Sequence, residues 1–263
     1  MIFFEKRQTP LMKIGSIEKW VGIIEHLSQN SRGLNLSELS SLTGMPKSTV
    51  HHFLGTLLPH DYIYQDSKTK KYYLGSKFLS ISHRMIENFD LRKIASEHMH
   101  KLQQRCKGGN INLFILRNRN VVCIEKLEAL EGLGLSYGIG YTVDPHITAG
   151  GKALLSELSP EQLKVIYPNK KLPSPALARN TITNRDTLLK ELANVRIQGY
   201  AIDNEESHEG VRCVAAPIRA GGEIIASLSI SGLAAYITME RIDLELKRLV
   251  IETAKEISRE MMR

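Results

Sequence analysis

Apolar residues recur at helical spacing within residues 37–58 and predict two short helices with a tight turn between them. The turn carries Gly44, which can adopt the positive φ that ends a helix, and Pro46, which suits the start of the next one. The apolar underside of the second helix comprises Val50, Phe53, Leu54, Leu57 and Leu58. Its other face comprises Lys47, Ser48, Thr49, His51 and His52. Such a polar face can enter the major groove of DNA and meet base edges and phosphates, although a solvated helical hairpin is the simpler alternative.

A β-hairpin is predicted directly after these helices. Residues 61–65 and 71–75 alternate and are rich in tyrosine, whereas residues 66–70 between them are polar. The tip of the hairpin carries Lys68, Lys70 and Lys71. A hairpin that follows a recognition helix forms a winged helix-turn-helix, and lysines at its tip are placed to meet phosphates.

The sequence Pro-Lys-Ser-Thr-Val-His at residues 46–51, with Tyr-Tyr-Leu-Gly at the end of the wing, resembles the IclR family of bacterial transcriptional regulators. The family usually has arginine after Thr-Val-His, and His52 stands at that position here. The operator sequence therefore does not transfer from the family.

The second half of the chain alternates between strand and helix patterns. Strands are predicted over residues 111–116, 121–127, 200–203, 213–218 and 224–231, and more loosely over 133–141. Helices are predicted between them, and a last helix runs from Thr238 towards the end of the chain. Strands in hairpins interrupted by helices predict an α+β domain with a mostly antiparallel sheet.

Three stretches of this half resemble the IclR effector domain: residues 146–155, 200–206, and 209–218 with 229–232. The resemblance implies a C-terminal GAF-like effector-binding domain for small organic molecules, often carboxylates. It also implies a homo-oligomer, a dimer or tetramer, on a palindromic operator of double-stranded DNA. The implied effector-binding residues are Ala149, Gly150, Asp203, Cys213, Ser229 and Ser231. Residues 128–133 depart from the family pattern, so the identity of the effector does not transfer.

The chemistry of these positions leaves alternatives open. Ser229 and Ser231 lie two apart on a strand, so both hydroxyls point to one face and can complete an anion site with the helix start near Gly150. Close packing of that glycine-rich turn explains the same residues equally well. Asp203 would repel a carboxylate, so it accepts a hydrogen bond from a ligand hydroxyl, orients Arg212, or caps a turn.

The predicted domains are an N-terminal arm with the winged helix-turn-helix over residues 1–73, a linker helix over 74–90, and the effector-binding domain over 91–263. The formal net charge of +7 and the pI of about 9.2 suit a polyanionic partner. No apolar run approaches the roughly 20 residues that span a bilayer, so no membrane partner and a cytoplasmic location are expected. The scattered Cys106, Cys123 and Cys213 indicate neither a disulfide framework nor a zinc site, and no metal or cofactor is predicted.

The leading hypothesis is a one-component transcriptional regulator, more often a repressor in the family, whose DNA affinity changes when a small acid binds in the second domain. One alternative is an enzyme with Cys213 as nucleophile, His208 as base, and Glu205 or Asp203 as orienting group. Apolar neighbours around Cys213 argue against an activated thiol, and no catalytic residue is predicted. The other alternative is a DNA-binding module whose second domain serves assembly only.

Overall fold

A computed structural model describes residues 14–87, 90–129, 138–175 and 178–262, and these form two compact units, one on each side of residues 88–89. The N-terminal unit is an arrangement of four helices and one hairpin. Its elements are α1 (Gly15–Gln29), α2 (Leu36–Thr43), α3 (Lys47–Leu57), β1 (Ile63–Gln65), β2 (Tyr72–Leu74) and α4 (Lys77–Glu87).

Buried residues from α1, α2, α3 and both strands share one apolar cluster in the N-terminal unit. Ile23, Leu39, Val50 and Ile63 lie at its centre. Tyr72 of β2 belongs to the same cluster, so the hairpin is part of the same core as the helices. This arrangement is the predicted winged helix-turn-helix.

The turns around α2 show which local signals set its ends. Gly44 adopts a φ of 68° and ends α2, as predicted. At the other end Asn35 accepts hydrogen bonds from the N–H groups of Ser37 and Glu38, while Glu38 accepts one from the N–H of Asn35. This capping box starts α2 at Leu36 and satisfies N–H groups that the first turn leaves unpaired.

The prediction that the linker helix begins at Leu74 is wrong. Leu74 is the last residue of β2 and pairs with Ile63, and α4 begins only at Lys77. Between them Gly75 packs so closely on the carbonyl group of Asp61 that a Cβ atom would overlap it, and its N–H donates to the carbonyl of Tyr62. The wing therefore ends in a tight backbone contact before helical geometry can start.

The C-terminal unit consists of a six-stranded sheet with helices on both faces. Its helices are α5 (Asp90–Arg105), α6 (Ala149–Leu155), α7 (Pro160–Ile166), α8 (Arg185–Gln198), α9 (Met239–Arg241) and α10 (Lys247–Glu260). Its strands are β3 (Asn110–Arg117), β4 (Asn120–Leu127), β5 (Thr142–Val143), β6 (Ala201–Asn204), β7 (Val211–Ala220) and β8 (Glu223–Leu233). A π-helical turn, Ile242–Leu246, joins α9 to α10.

The strand order is β5-β4-β3-β8-β7-β6, and every neighbouring pair is antiparallel. The prediction of a mostly antiparallel sheet in an α+β domain is thus confirmed. The β3–β4 hairpin closes through Asn118 and Arg119, whose φ angles are 47° and 73°. Two consecutive positive φ angles are typical of a type I′ turn, whose backbone twist matches that of the paired strands. The edge strand β6 pairs only with residues 212–215 of β7. In the part of β7 that continues past β6, the N–H of Arg219 donates to Ser258 Oγ.

Alternation along the strands divides the unit into two apolar layers. One face of the sheet, with Leu113, Val214 and Leu228, packs against α5 and α10. On the opposite face α6, α7 and α8 cover Phe114 and its neighbours. Residues 112, 213, 229 and 231 belong to this second face, so the strands direct the predicted pocket residues Cys213, Ser229 and Ser231 towards α6, together with Asn112.

The loosely predicted strand over residues 133–141 lies mostly outside the described residues. Of its span only residues 138–141 are described, and they form a turn that leads into β5.

Candidate functional site

The exposed face of α3 carries the residues predicted to contact DNA. Lys47, Ser48, His51 and His52 are exposed and Thr49 is half-buried, whereas the side chains that alternate with them at helical spacing pack into the core. The structure thus brings four of the five predicted residues onto the solvent-facing side of a helix, with the half-buried Thr49 beside them. Such a face offers hydroxyl, imidazole and ammonium groups to base edges and phosphates.

The wing places its three lysines differently from one another. Lys68 and Lys70 are exposed near a tip that is held by Asp66, whose carboxylate accepts from the N–H groups of Lys68 and Thr69 and from the hydroxyl of Thr69. The bonds from Thr69 hold the pKa of Asp66 below its usual value. Lys71 instead folds back, and its Nζ donates to the carbonyl of Gly33 at 3.4 Å. Lys68 and Lys70 are therefore the wing cations directed to solvent.

In the C-terminal unit a cavity of about 160 Å³ lies between α6 and the strands β3, β7 and β8. Five of the six predicted effector-binding residues line it: Gly150, Asp203, Cys213, Ser229 and Ser231. The sixth, Ala149, is not among the lining residues and packs with Ala153, Cys213 and Ala215.

The helix start at α6 is a place of close packing. A Cβ atom at Gly150 would lie 2.7 Å from the ring of Phe114, and one at Gly151 would overlap the backbone of Pro145. Thr148 caps the helix, because its Oγ1 accepts from the N–H of Gly151 at 3.0 Å. The close-packing explanation of the glycines is thus correct, and Gly150 lines the cavity as well.

Asp203 caps the turn at the mouth of the cavity. Its Oδ1 accepts from the N–H of Glu206 at 2.7 Å, and its Oδ2 accepts from the hydroxyl of Ser207 at 2.7 Å. Burial raises the pKa of this carboxyl, which these hydrogen bonds partly oppose. The idea that Asp203 orients Arg212 is wrong, because Arg212 contacts Glu205 and Asn204 instead. Among the three alternatives the turn cap is the one observed directly.

A buried ion pair ties α6 to the same turn. Lys152 Nζ lies 2.6 Å from Glu206 Oε1 and 3.6 Å from Glu191 Oε1 on α8, although Lys152 is only 1% exposed. Burial raises the pKa of Glu206, and the Lys152 ammonium opposes that shift. The pair therefore holds the segment with Asp203, Ser207 and His208 against the helix that forms the opposite wall.

The catalytic alternative is not supported by the site. Cys213 is buried, and burial, reinforced by the negative charge of Asp203, raises its thiol pKa far above the usual value. A thiol in that state is a poor nucleophile. His208 also lines the cavity, but it is exposed on the loop at the mouth.

Several cavity residues lie outside the predicted effector-binding set, although His208 was named as the base of the catalytic alternative. They are Asn112, Phe114, Tyr141, Thr148, Ser207, His208 and Val211. Asn112 is the most informative, since it is 1% exposed and its Nδ2 lies 3.3 Å from Ser229 Oγ and 3.0 Å from Ser231 Oγ. A polar amide within the apolar run of β3 was the available signal, because buried amides require partners.

Within the described ranges no cluster of three or more histidine, cysteine, aspartate or glutamate side chains is arranged to hold a metal ion. The described helices include none long and apolar enough to cross a membrane.

A winged helix-turn-helix followed by a separate sheet domain with helices on both faces is typical of two-domain DNA-binding transcriptional regulators. The IclR helix-turn-helix model matches residues 16–67, and the model of the bacterial transcriptional regulator IclR C-terminal domain matches residues 83–259. The chain therefore belongs to the IclR family of transcriptional regulators, which is non-enzymatic.

Individual relatives agree with this assignment. The transcriptional regulator XynR of Escherichia coli K12 is 35% identical over 221 residues, which cover 84% of this chain and 86% of XynR. The transcriptional repressor AllR of Salmonella typhimurium is 30% identical over 244 residues, 92% of this chain and 88% of AllR. An IclR homologue from Microbacterium hydrocarbonoxydans, crystallised with 4-hydroxybenzoate, has the same fold, with a TM-score of 0.76 at 21% identity over 94% of this chain and 98% of that one.

Proposed function

We propose that this regulator binds a small organic acid in the cavity of its C-terminal unit, and that the bound acid changes the affinity of the winged helix for its operator. The observation that carries the proposal is the composition of the cavity wall. Two serine hydroxyls and an asparagine amide converge there beside the apolar ring of Phe114. Convergent polar groups in an apolar cavity are typical of small-molecule sites. The 4-hydroxybenzoate complex of the homologue supports a carboxylate as the ligand class.

The DNA-binding half of the proposal assigns roles to individual residues. Thr49, His51 and His52 read base edges, while Lys47 and Ser48, near the start of α3, contact phosphates together with Lys68 and Lys70 of the wing. Except for the half-buried Thr49, these side chains are exposed, which supports contact with DNA. Lys71 joins them only if it leaves its bond to Gly33.

The active form is a homodimer or homotetramer on a palindromic operator. Half-sites one helical turn apart, about 34 Å, require two DNA-binding domains held at the same spacing. The name of the AllR relative supports repression as the mode of action. The ligand shifts the DNA-bound population only to the extent that it binds the two states with different affinities.

A thermal-shift assay with benzoate, 4-hydroxybenzoate and lactate tests the effector site. An acid present at a hundred times its Kd adds about 2.7 kcal/mol of stability. For a domain of this size that gain corresponds to a shift of roughly 5–10 °C. If small acids leave the melting temperature unchanged, the effector proposal fails, and an assembly-only second domain becomes the better explanation.

Paired variants separate the two activities. Lys47→Ala should weaken binding to DNA from the region upstream of its own gene and reduce the slope of log affinity against log salt by about 0.9, as expected for one lost phosphate contact. Ser229→Ala with Ser231→Ala should abolish the acid-induced thermal shift and leave DNA affinity without acid unchanged. Lys93→Ala, an exposed lysine on α5, is the control for a general loss of positive charge. Equal damage to both activities by both variants would contradict the division of labour.

A further inference from the structure

Asn112 occupies a central position beside the two serines of the cavity. In the pairing of β3 with β8 it lies directly opposite Ser229, and Ser231 is the next residue on the same face. Cross-strand neighbours of this kind are close enough for direct side-chain contact. The sheet register therefore fixes which groups meet here, although Asn112 and Ser229 are 117 residues apart in the chain.

The side-chain amide of Asn112 is oriented with Nδ2 towards the two serines, and its buried Oδ1 has no hydrogen-bond partner among the residues that the structure describes. Its Nδ2 carries two hydrogens and lies within bonding distance of both serine oxygens, at 3.3 Å and 3.0 Å. A hydroxyl that accepts a hydrogen bond still has its own hydrogen to donate. Ser229 has a weak acceptor nearby in the thiol of Cys213, and a carboxylate oxygen is a much stronger one.

We infer that Asn112 is a positioning residue that keeps the hydroxyl hydrogens of Ser229 and Ser231 free to donate into the cavity, and that this makes the site selective for carboxylates over neutral amides of the same shape. This inference rests on the effector-binding function proposed above. Asn112 acts through the serines, because its Nδ2 is already used in orienting them.

Asn112→Asp is the sharpest test, because it keeps the shape of the side chain and replaces the donor group with an acceptor. The aspartate takes the serine hydrogens, and its charge repels an anionic ligand. We expect affinity for an acid to fall on the order of 100-fold, since each charged hydrogen bond carries a factor of roughly ten or more. The matching amide, which can donate as well as accept, should lose much less.

The probes are benzoate with benzamide, 4-hydroxybenzoate with 4-hydroxybenzamide, and lactate with lactamide, measured by calorimetry. The readout is the ratio of acid affinity to amide affinity, which a general packing defect would not change. Wild-type protein should favour the acid, and Asn112→Asp should remove or reverse that preference. If Asn112→Asp does not fold, Asn112→Ala serves instead, and it should reduce the ratio about tenfold because the hydroxyls then rotate freely.

Asn110→Asp is the matched control. Asn110 is also a buried amide on β3, but its Oδ1 accepts from the N–H of Ala129, a bond that aspartate can keep, and it does not line the cavity. This variant should retain the wild-type ratio.

The outcomes distinguish this inference from the proposed function. If wild-type protein binds none of the acids, both fall. If wild-type protein binds an acid and Asn112→Asp keeps the wild-type ratio, the effector site stands and the role of Asn112 is refuted. That second result would mean that the amide is reversed, with Oδ1 accepting from the serines.

Discussion

Lys152→Met tests how much of the C-terminal unit depends on the buried ion pair. The ammonium group of Lys152 lies 2.6 Å from Glu206 Oε1, and the two side chains are only 1% and 8% exposed. Methionine has a similar length and fills the same apolar path along α6. The substitution therefore leaves the packing largely intact and removes the charge that compensates Glu206.

The expected cost follows from that burial. Removing one partner of a buried ion pair destabilises a protein by about 3–5 kcal/mol, because the remaining charge is left without compensation. In a unit of this size each kcal/mol lowers Tm by about 2–4 °C, so the melting temperature should fall by roughly 6–20 °C. Adding Glu206→Gln removes the stranded charge and should recover most of the loss.

The loss should depend on pH in a defined direction. Burial already raises the pKa of Glu206 above 4.5, and removal of Lys152 raises it further. The folded variant then holds a proton on Glu206 more tightly than the unfolded chain does. Its stability is therefore greatest below the unfolded pKa and decreases as pH rises through the folded pKa. The difference from wild type should be smaller at pH 5 than at pH 8.

Thermal denaturation followed by circular dichroism at both pH values measures these differences. Lys93→Met, at an exposed lysine, is the control and should change Tm little. The reasoning is refuted if Lys152→Met costs no more than Lys93→Met, or if Glu206→Gln does not recover the loss.

Two further predictions use glycine and cysteine positions. Gly75→Ala should destabilise the N-terminal unit by about 1–3 kcal/mol, because the added Cβ overlaps the backbone of Asp61. Gly55→Ala lies in open space on α3 and should stabilise the unit by up to about 1 kcal/mol. Urea denaturation of both variants checks that the two changes in unfolding free energy have opposite signs. Burial raises the pKa of Cys106 and of Cys123 to about 11, and it raises the pKa of Cys213 well above the usual value. Native protein at pH 8 should therefore resist a disulfide reagent that labels all three buried thiols after denaturation. Rapid labelling of Cys213 in the native protein would contradict its burial.

Local signals made much of the fold predictable from sequence. Helical spacing located the core face of α3, Gly44 marked the end of α2, and strand alternation placed Ser229 and Ser231 on one side of β8. Each of these features depends on residues within a few positions of one another. The capping box of Asn35 and Glu38 was equally local, and its Asn-x-x-Glu spacing was present in the sequence before the structure showed it.

The features that sequence reasoning missed depend on contacts between distant segments. Asn112 meets Ser229 only because β3 pairs with β8, and no pattern near Asn112 specifies that pairing. Lys152 belongs to a residue type that is almost always exposed, and its burial depends on Glu206, 54 residues away. Leu74 fits both a strand and a helix pattern, and the contact between Gly75 and Asp61 decides between them.

The sheet of the C-terminal unit ends on both sides in short strands, β5 with two residues and β6 with four. Where β6 stops, β7 continues with Pro217, which has no N–H to offer, and the N–H of Arg219 is already bonded to Ser258. A strand from another molecule would find few free donors along that rim. Short edges of this kind discourage edge-to-edge pairing between molecules, which removes one route to aggregation.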